Sequence, residues 1–530
     1  MLSTPTANFP VKLYVASIVP IVFLLVSLLM RHNAGPFWLW SNLDPDYAYL
    51  FDSLNMVNGK WPQEMAHPGI TVDFIGAIII RIIHPITSLQ EINQLVLINP
   101  EHYLLILSRI FIFINTIALL ILGIVGLIVF QDWVPSLFLQ MGPFLSKLAF
   151  KWSLHVAPEP LLITTVIALS ILIVLGLRDG QLEKYSTRYA IAFGLICGFG
   201  IATKLTSAGI YLLPVLFLGK VRAIIIFFWA TIFATAFFSL PGAGSLSLVL
   251  DQVISISSAT GHHGHGPPGF IDTSSYLRNL IRVSSRPVFF VVLLLGISSV
   301  ILTRINSPKI AATPTYRALC GLCLCFFCQA LLVAKHPAGH YMIPALVLSS
   351  LGLVLIYDLL RRSVFLFDKS RLFLRKFSVA FLVFLVISQI ISLNKLNEQF
   401  SRRSLDSARL DETRYMDCAK IFVWPASNPM YGLFFGRWNT KGSFGEELRT
   451  LFQEKSSMYM INDGKLHDLY GTRSLRELPG EFPCVYMRGQ SPEYSLKLLE
   501  PALENFAKMN RCELGEEKIV TWGIKCAPDK

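Results

Sequence analysis

Long apolar runs separated by short polar ones dominate the chain. They fall at 11–30, 103–130, 134–148, 159–177, 189–202, 205–219, 221–240, 287–303, 316–334, 342–357 and 377–394, with a weaker run at 70–86. Most approach the ~20 residues a helix needs to cross the hydrocarbon core, which predicts about eleven membrane spans. The 189–219 pair is short for a bilayer and is interrupted by Thr203-Lys204. No small-x-small cleavage site precedes Arg31-His32, so the first run is expected to be a retained helix. From Asn394 onward charged residues become frequent. Short runs such as KIFVW (420–424) and FPCVYM (482–487) alternate there with helical patterns such as Tyr494 to Met509. The pattern predicts an all-α polytopic membrane protein over 1–394, with loops at 31–102 and 241–286, followed by an extramembrane α/β domain over 395–530.

Composition agrees with the pattern: 53% of residues are hydrophobic, 15% are charged, and mean hydropathy is +0.55. The formal charge of +12 raises the possibility of nucleic acid. The bases, however, cluster in short loops, Arg178 to Arg188, Lys220 to Arg222, Arg304 to Arg317 and Asp358 to Lys376. The positive-inside rule makes these loops cytoplasmic, with the N-terminus inside. No aromatic-interleaved basic patch is left over, which excludes nucleic acid as a partner.

This topology puts Asp44, Asp46, His67, His155, Glu159, Lys204, the GHHGHG loop with His262, His263 and His265, and Lys335, His336, His340 and Tyr341 all on the non-cytoplasmic side. A random scatter would divide between the two faces, so the one-sidedness points to an external active or binding site. Asp44 and Asp46 can cap a helix, hold a metal, or supply a general base. The stretch DPDYAYLFDSLNMVNG also reads as an acid-led helix with Pro45 at its first position. GHHGHG could bind zinc, contact a donor as a mobile loop, or be plain surface. Lys204 interrupts an apolar pair, and an intramembrane lysine is costly unless it lines a cavity or finds a partner.

Four of the nine cysteines, Cys418, Cys484, Cys512 and Cys526, fall in the C-terminal domain. An oxidising compartment would permit disulfides there, and three pairings are open. Their positions beside predicted strands favour Cys418 with Cys484 and Cys512 with Cys526. Cys320, Cys323, Cys325 and Cys328 imitate a zinc knuckle, but at helical spacing they cannot share a face, and they read as soft packing residues.

In order, these parts resemble the family C glycosyltransferases (GT-C), especially enzymes similar to dolichyl-phosphate-mannose mannosyltransferases and the aminoarabinose transferases of lipid A. The acidic pair in LDPDYAYL is followed by amphipathic segments near Asp46 to Asn58 and His67 to His84, then by HVAPEPLL, GFGIATKLTS, a large second external loop, and AKHPAGHYMIP. The resemblance covers roughly residues 10–360. The pair reads Asp-Pro-Asp, closer to the loop of oligosaccharyltransferases, which leaves open which acid is the base and whether a divalent metal takes part. The resemblance implies a polyprenyl-phosphate-linked sugar donor and a glycan, lipid or protein acceptor. It also implies Asp44 or Asp46 as base, with Lys204, Lys335, His336, His340 and Tyr341 around the phosphate. The expected location is a bacterial inner membrane, with the active site and C-terminus periplasmic. The rival readings are a transporter or lipid flippase, a glycan-polymerising enzyme of the same fold, and a membrane scaffold. No internal repeat of the kind transporters carry is found.

Overall fold

A computed structural model describes residues 9–39, 46–64, 69–260, 266–362, 368–408, 412–423, 425–452, 458–462, 465–468, 471–490, 493–499, 503, 509–514 and 517–525. The chain forms two compact units. One comprises Met1–Leu28, Met65–Val72 and Ser108–Asn394; the other comprises Leu29–Glu64, Asp73–Leu107 and Lys395–Lys530.

Among the described residues nine helices are long and apolar enough to span a bilayer: Leu13–Asn33, Pro100–Phe130, Pro158–Gly176, Ser186–Thr203, Val221–Ser258, Pro287–Asn306, Pro314–Lys335, Gly339–Arg362 and Arg371–Ser407. This is a multi-pass integral membrane protein. Four spans begin at a proline, whose missing N–H costs nothing in a first helical turn and whose fixed φ suits it. The helices Ser186–Thr203 and Val221–Ser239 pack closely through small residues. A Cβ on Gly194 would lie 2.4 Å from the Ala230 Cβ, and one on Gly198 would lie 2.5 Å from that of Ala234.

Two further predicted spans are not continuous helices. The run at 134–148 is divided into Trp133–Gln140, a 3₁₀ turn Gly142–Leu145 and Lys147–Trp152, with Pro143 and the Ser146 cap at the breaks. The run at 205–219 is a 3₁₀ segment, Leu205–Leu212, and a short helix, Leu213–Leu218, which stops at Gly219 with φ +65°. Both segments nevertheless join the same two ends of the helix bundle. At one end Asp132 lies 3.8 Å from Arg375, and Gly219 packs against Arg317, which pairs with Glu183 at 2.9 Å. At the other, Trp152 stacks on His340 at 4.8 Å, and the Lys204 ammonium lies 4.9 Å over the Tyr341 ring. A 3₁₀ helix rises faster per residue than an α-helix, so Leu205–Leu218 spans about 25 Å despite its length. Among the described residues nine continuous helices are thus long enough to cross, against the eleven runs of the sequence; the other two runs are interrupted.

In the other unit the C-terminal part folds as a seven-stranded mixed sheet. Its strands are β1 (Ala419–Phe422), β2 (Met458–Asn462), β3 (Lys465–His467), β4 (Thr472–Arg473), β5 (Val485–Gly489), β6 (Asn510–Leu514) and β7 (Glu517–Trp522), in the order β4-β3-β2-β1-β5-β7-β6. The central β1 pairs parallel with β2 and β5, and the remaining pairs are antiparallel. Ile421, Tyr459, Leu466, Met487, Val520 and Trp522 fill its core. Cys418 and Cys484, just before β1 and β5, form a disulfide; Cys512 is disulfide-bonded too, and Cys526 lies outside the described residues.

Candidate functional site

In the helical unit, three motifs far apart in sequence meet at one end. Glu159 is the second residue of Pro158–Gly176, in its first turn. Lys204 follows the last residue of Ser186–Thr203, where the backbone leaves helical geometry, and its Nζ donates to Glu159 Oε1 at 2.6 Å with both residues buried. The burial cost of the lysine is therefore met by an opposite charge. Glu159 Oε2 accepts no hydrogen bond from the described residues.

The Tyr341 ring lies under the same ammonium, His340 contacts Tyr341 at 4.4 Å, and Trp152 stacks on both His340 and His155, the latter at 5.0 Å. Gln329 Nε2 donates to the Tyr341 carbonyl at 2.9 Å and fixes this short turn. Thr203 Oγ1 accepts at 2.9 Å from the hydroxyl of Thr71, four residues after His67 in sequence.

Tyr341 also borders a cavity of about 280 Å³, with Lys335, His336, Asp272, Asn279 and Thr260 among its walls. Lys335, the last residue of its span, donates to the Ser257 carbonyl at 2.9 Å and lies 4.4 Å over the Phe270 ring. Arg286, before the helix Pro287–Asn306, packs on Gly339 and adds a cation that the sequence reading missed.

The other unit holds the acids. Asp46 opens the helix Asp46–Val57 and is fully buried, within electrostatic reach of Arg31. Glu101 accepts from the backbone N–H groups of Phe37 and Trp38 at 2.7 and 3.2 Å and from the Tyr47 hydroxyl at 2.6 Å. Arg31 stacks on Phe37 and donates to the Gly35 carbonyl. Glu101 thus ties Phe37 and Trp38 to Tyr47, the neighbour of Asp46.

Nearly two turns further on, Asp52 accepts from Asn55 Nδ2 and from the N–H groups of Gln63 and Glu64. Burial pushes its pKa up to about 6 against those hydrogen bonds and the Lys441 charge. Asp73 is completely buried, and neither oxygen has a hydrogen-bond partner among the described residues. Burial, and then the charges of Asp52 and Glu64, hold it well above the ordinary carboxylate range. Asp52 and Asp73 escaped the sequence reading because each sits in an apolar helical stretch that looks like packing.

The structure brings Glu159, Lys204, Tyr341, His340 and His155 into one contact chain and places Lys335 and His336 on a cavity shared with Tyr341. Asp44, His67, His262, His263 and His265 lie outside the described residues. Among the described residues no group of three or more His, Cys, Asp or Glu could hold a metal ion.

No protein-family model matches the sequence, and no curated protein does. Among solved structures the chain is similar to ArnT from Cupriavidus metallidurans bound to undecaprenyl phosphate, with 11% identity and a TM-score of 0.41 over 95% of this chain and 98% of that one. The same protein in its apo state gives 11% identity and a TM-score of 0.43 over 95% and 97%. The oligosaccharyltransferase of Archaeoglobus fulgidus in complex with Zn and sulfate gives 12% and 0.39 over 93% of this chain and 71% of that one.

Proposed function

We propose that the protein is a GT-C-type membrane glycosyltransferase, which moves a sugar from a polyprenyl-phosphate donor to an acceptor on the non-cytoplasmic face with inversion. The observation that carries the reading is the contact chain from Glu159 through Lys204, Tyr341, His340 and Trp152 to His155. It joins three motifs that the resemblance to this family singles out separately. Its members stand at helix ends, whereas a transporter places its charges at the midplane of broken, repeated helices.

In the proposed reaction an acceptor O–H or N–H gives its proton to an aspartate. The acceptor atom then attacks the anomeric carbon, the bond from that carbon to the phosphate oxygen breaks, and polyprenyl phosphate leaves with the electron pair. Lys335, His336 and Tyr341 are assigned to the phosphate, whose charge grows as the sugar departs. Lys204 is held by Glu159, so its role is to polarise that pair and the Tyr341 ring. Asp44 is the first choice for the base. Asp46, buried and facing Arg31, fits an orienting role.

The test supplies the membrane-reconstituted protein with polyprenyl-phosphate sugars and measures released polyprenyl phosphate. Asp44→Asn should lower turnover about 10²–10⁴-fold with little change in donor affinity. Lys335→Ala should weaken donor binding and rate together. Near-normal transfer by both Asp44→Asn and Asp46→Asn, in folded protein, would refute the base assignment. Substrate movement without cleavage would favour the transporter.

A further inference from the structure

The stretch 424–439, WPASNPMYGLFFGRWN, carries no chemistry legible in the sequence, yet its end forms a wall of a cavity of about 360 Å³ in the C-terminal domain. That volume suits one or two sugar rings and falls in the range of ligand sites. Trp438, at the end of the helix Pro429–Asn439, is 45% exposed, and its indole meets the His467 ring edge-to-face at 5.1 Å. Met460 adds an apolar patch to the lining.

The charges lining the cavity are unbalanced. Asp468 is the carboxylate among its walls; it is buried, accepts from the Gly471 N–H at 2.7 Å, and lies 3.5 Å from Arg473. Arg473 is shared with Glu481 at 2.8 Å, and Asp468 also offsets part of the Arg437 charge, which leaves the lining with one positive charge in excess. Arg437 donates through Nη1 to the Asp468 carbonyl at 3.3 Å, while its buried Nε has no hydrogen-bond partner among the described residues. Lys441 is exposed and makes no ion pair among the described residues. Two cations beside a half-exposed indole call for a ligand with one flat apolar face and one negative group. A bare anion would leave the aromatic wall unused, and a neutral ring would leave the excess positive charge unmet.

We propose that this cavity binds a pyranose ring bearing an anionic group, with the C–H face of the ring on Trp438 and the anion at Arg437 and Lys441. An axial C–H face is weakly positive and apolar, which suits the negative face of an indole. As the acceptor subsite of the transferase the cavity rests on the proposed function; as a saccharide site it does not.

The full chain in lipid nanodiscs is tested by saturation-transfer NMR with methyl β-glucuronide, methyl β-glucoside and glycerol 3-phosphate. The glucuronide should receive saturation on its ring protons and the other two probes much less. Trp438→Ala should cut that signal about fivefold. Lys441→Gln should cut it about threefold, with the difference fading at high salt. Both positions are exposed, and a retained melting temperature shows that each variant is folded; should Trp438→Ala fail this, Lys441→Gln decides. Equal signals from glucoside and glucuronide, equal signals from glycerol 3-phosphate, or wild-type binding by the folded variants would overturn the proposal. Loss of sugar transfer with glucuronide binding intact would count against the transferase reading alone.

Discussion

At the scale of single residues, buried charge sets the strongest constraints. Lys204 and Glu159 are both almost inaccessible, so removing either one leaves the other charge buried and unpaired. Lys204→Met or Glu159→Gln should therefore each cost about 3–5 kcal/mol, and the double variant less than the sum of the two. Thermal unfolding in detergent measures this, and additive costs would mean that the contact is energetically idle. Asp52 gives a pH signature. Its folded pKa of about 6 lies above the ordinary carboxylate value, so the folded state holds the extra proton between the two. The stability this contributes is complete below about pH 4 and is lost as pH rises through about 6. Melting temperature should fall over that interval, and Asp52→Asn should flatten the fall relative to the parent protein.

Among the elements, the informative contact lies between Asp46–Val57 and Pro429–Asn439. Gly432 and Gly436, four apart on one face, let the second helix approach Tyr47, the neighbour of Asp46. A Cβ on Gly436 would stand 3.2 Å from both the Cβ and the backbone oxygen of Tyr47, and one on Gly432 would stand 2.9 Å from its ring. Gly436→Leu must push the helices apart, at about 1–3 kcal/mol, and should displace the Tyr47–Glu101 hydrogen bond along with Asp46. Both melting temperature and sugar transfer should drop. Gly480→Ala, where an added Cβ meets nothing within 4 Å, is the control and should be silent.

For the whole molecule, topology and oxidation state are linked. The contacts Glu183–Arg317 and Asp132–Arg375 bring base-bearing segments together at one end of the helical unit, opposite the Lys204 end. A reporter fused after Lys530 should read as external, and one inserted between Asp358 and Lys376 as cytoplasmic. The Cys418–Cys484 disulfide closes a loop of sequence separation 66, for which the chain-entropy relation gives about 4 kcal/mol. Cys418→Ser should lose stability on that order under oxidising conditions and nothing under reducing ones. Free thiols at these positions in native protein would contradict an oxidising compartment.

The sequence by itself determined the helical membrane architecture and the C-terminal α/β domain, and it singled out Glu159, Lys204, His340 and Tyr341, but not Arg286, near the Lys204 end. Each of these follows from local pattern: long apolar runs have one low-energy form in lipid, and a polar residue that interrupts such a run is visible because it is expensive. The pairing of Cys418 with Cys484 was legible only as a preference, since strand neighbours are fixed by sheet order. Tertiary structure alone decided that 133–152 and 205–218 are interrupted by the 3₁₀ segments Gly142–Leu145 and Leu205–Leu212, because apolar periodicity does not distinguish 3₁₀ from α geometry. It alone decided that Glu159 neutralises Lys204 across 45 residues, that Trp152 links His155 to His340, and that Asp52 and Asp73 lie in low dielectric. It also set Arg437, Trp438 and Lys441 around a cavity with His467. A charge's partner, its burial and its share of a cavity are properties of three-dimensional neighbours, and neighbours distant in sequence leave no periodic trace in it.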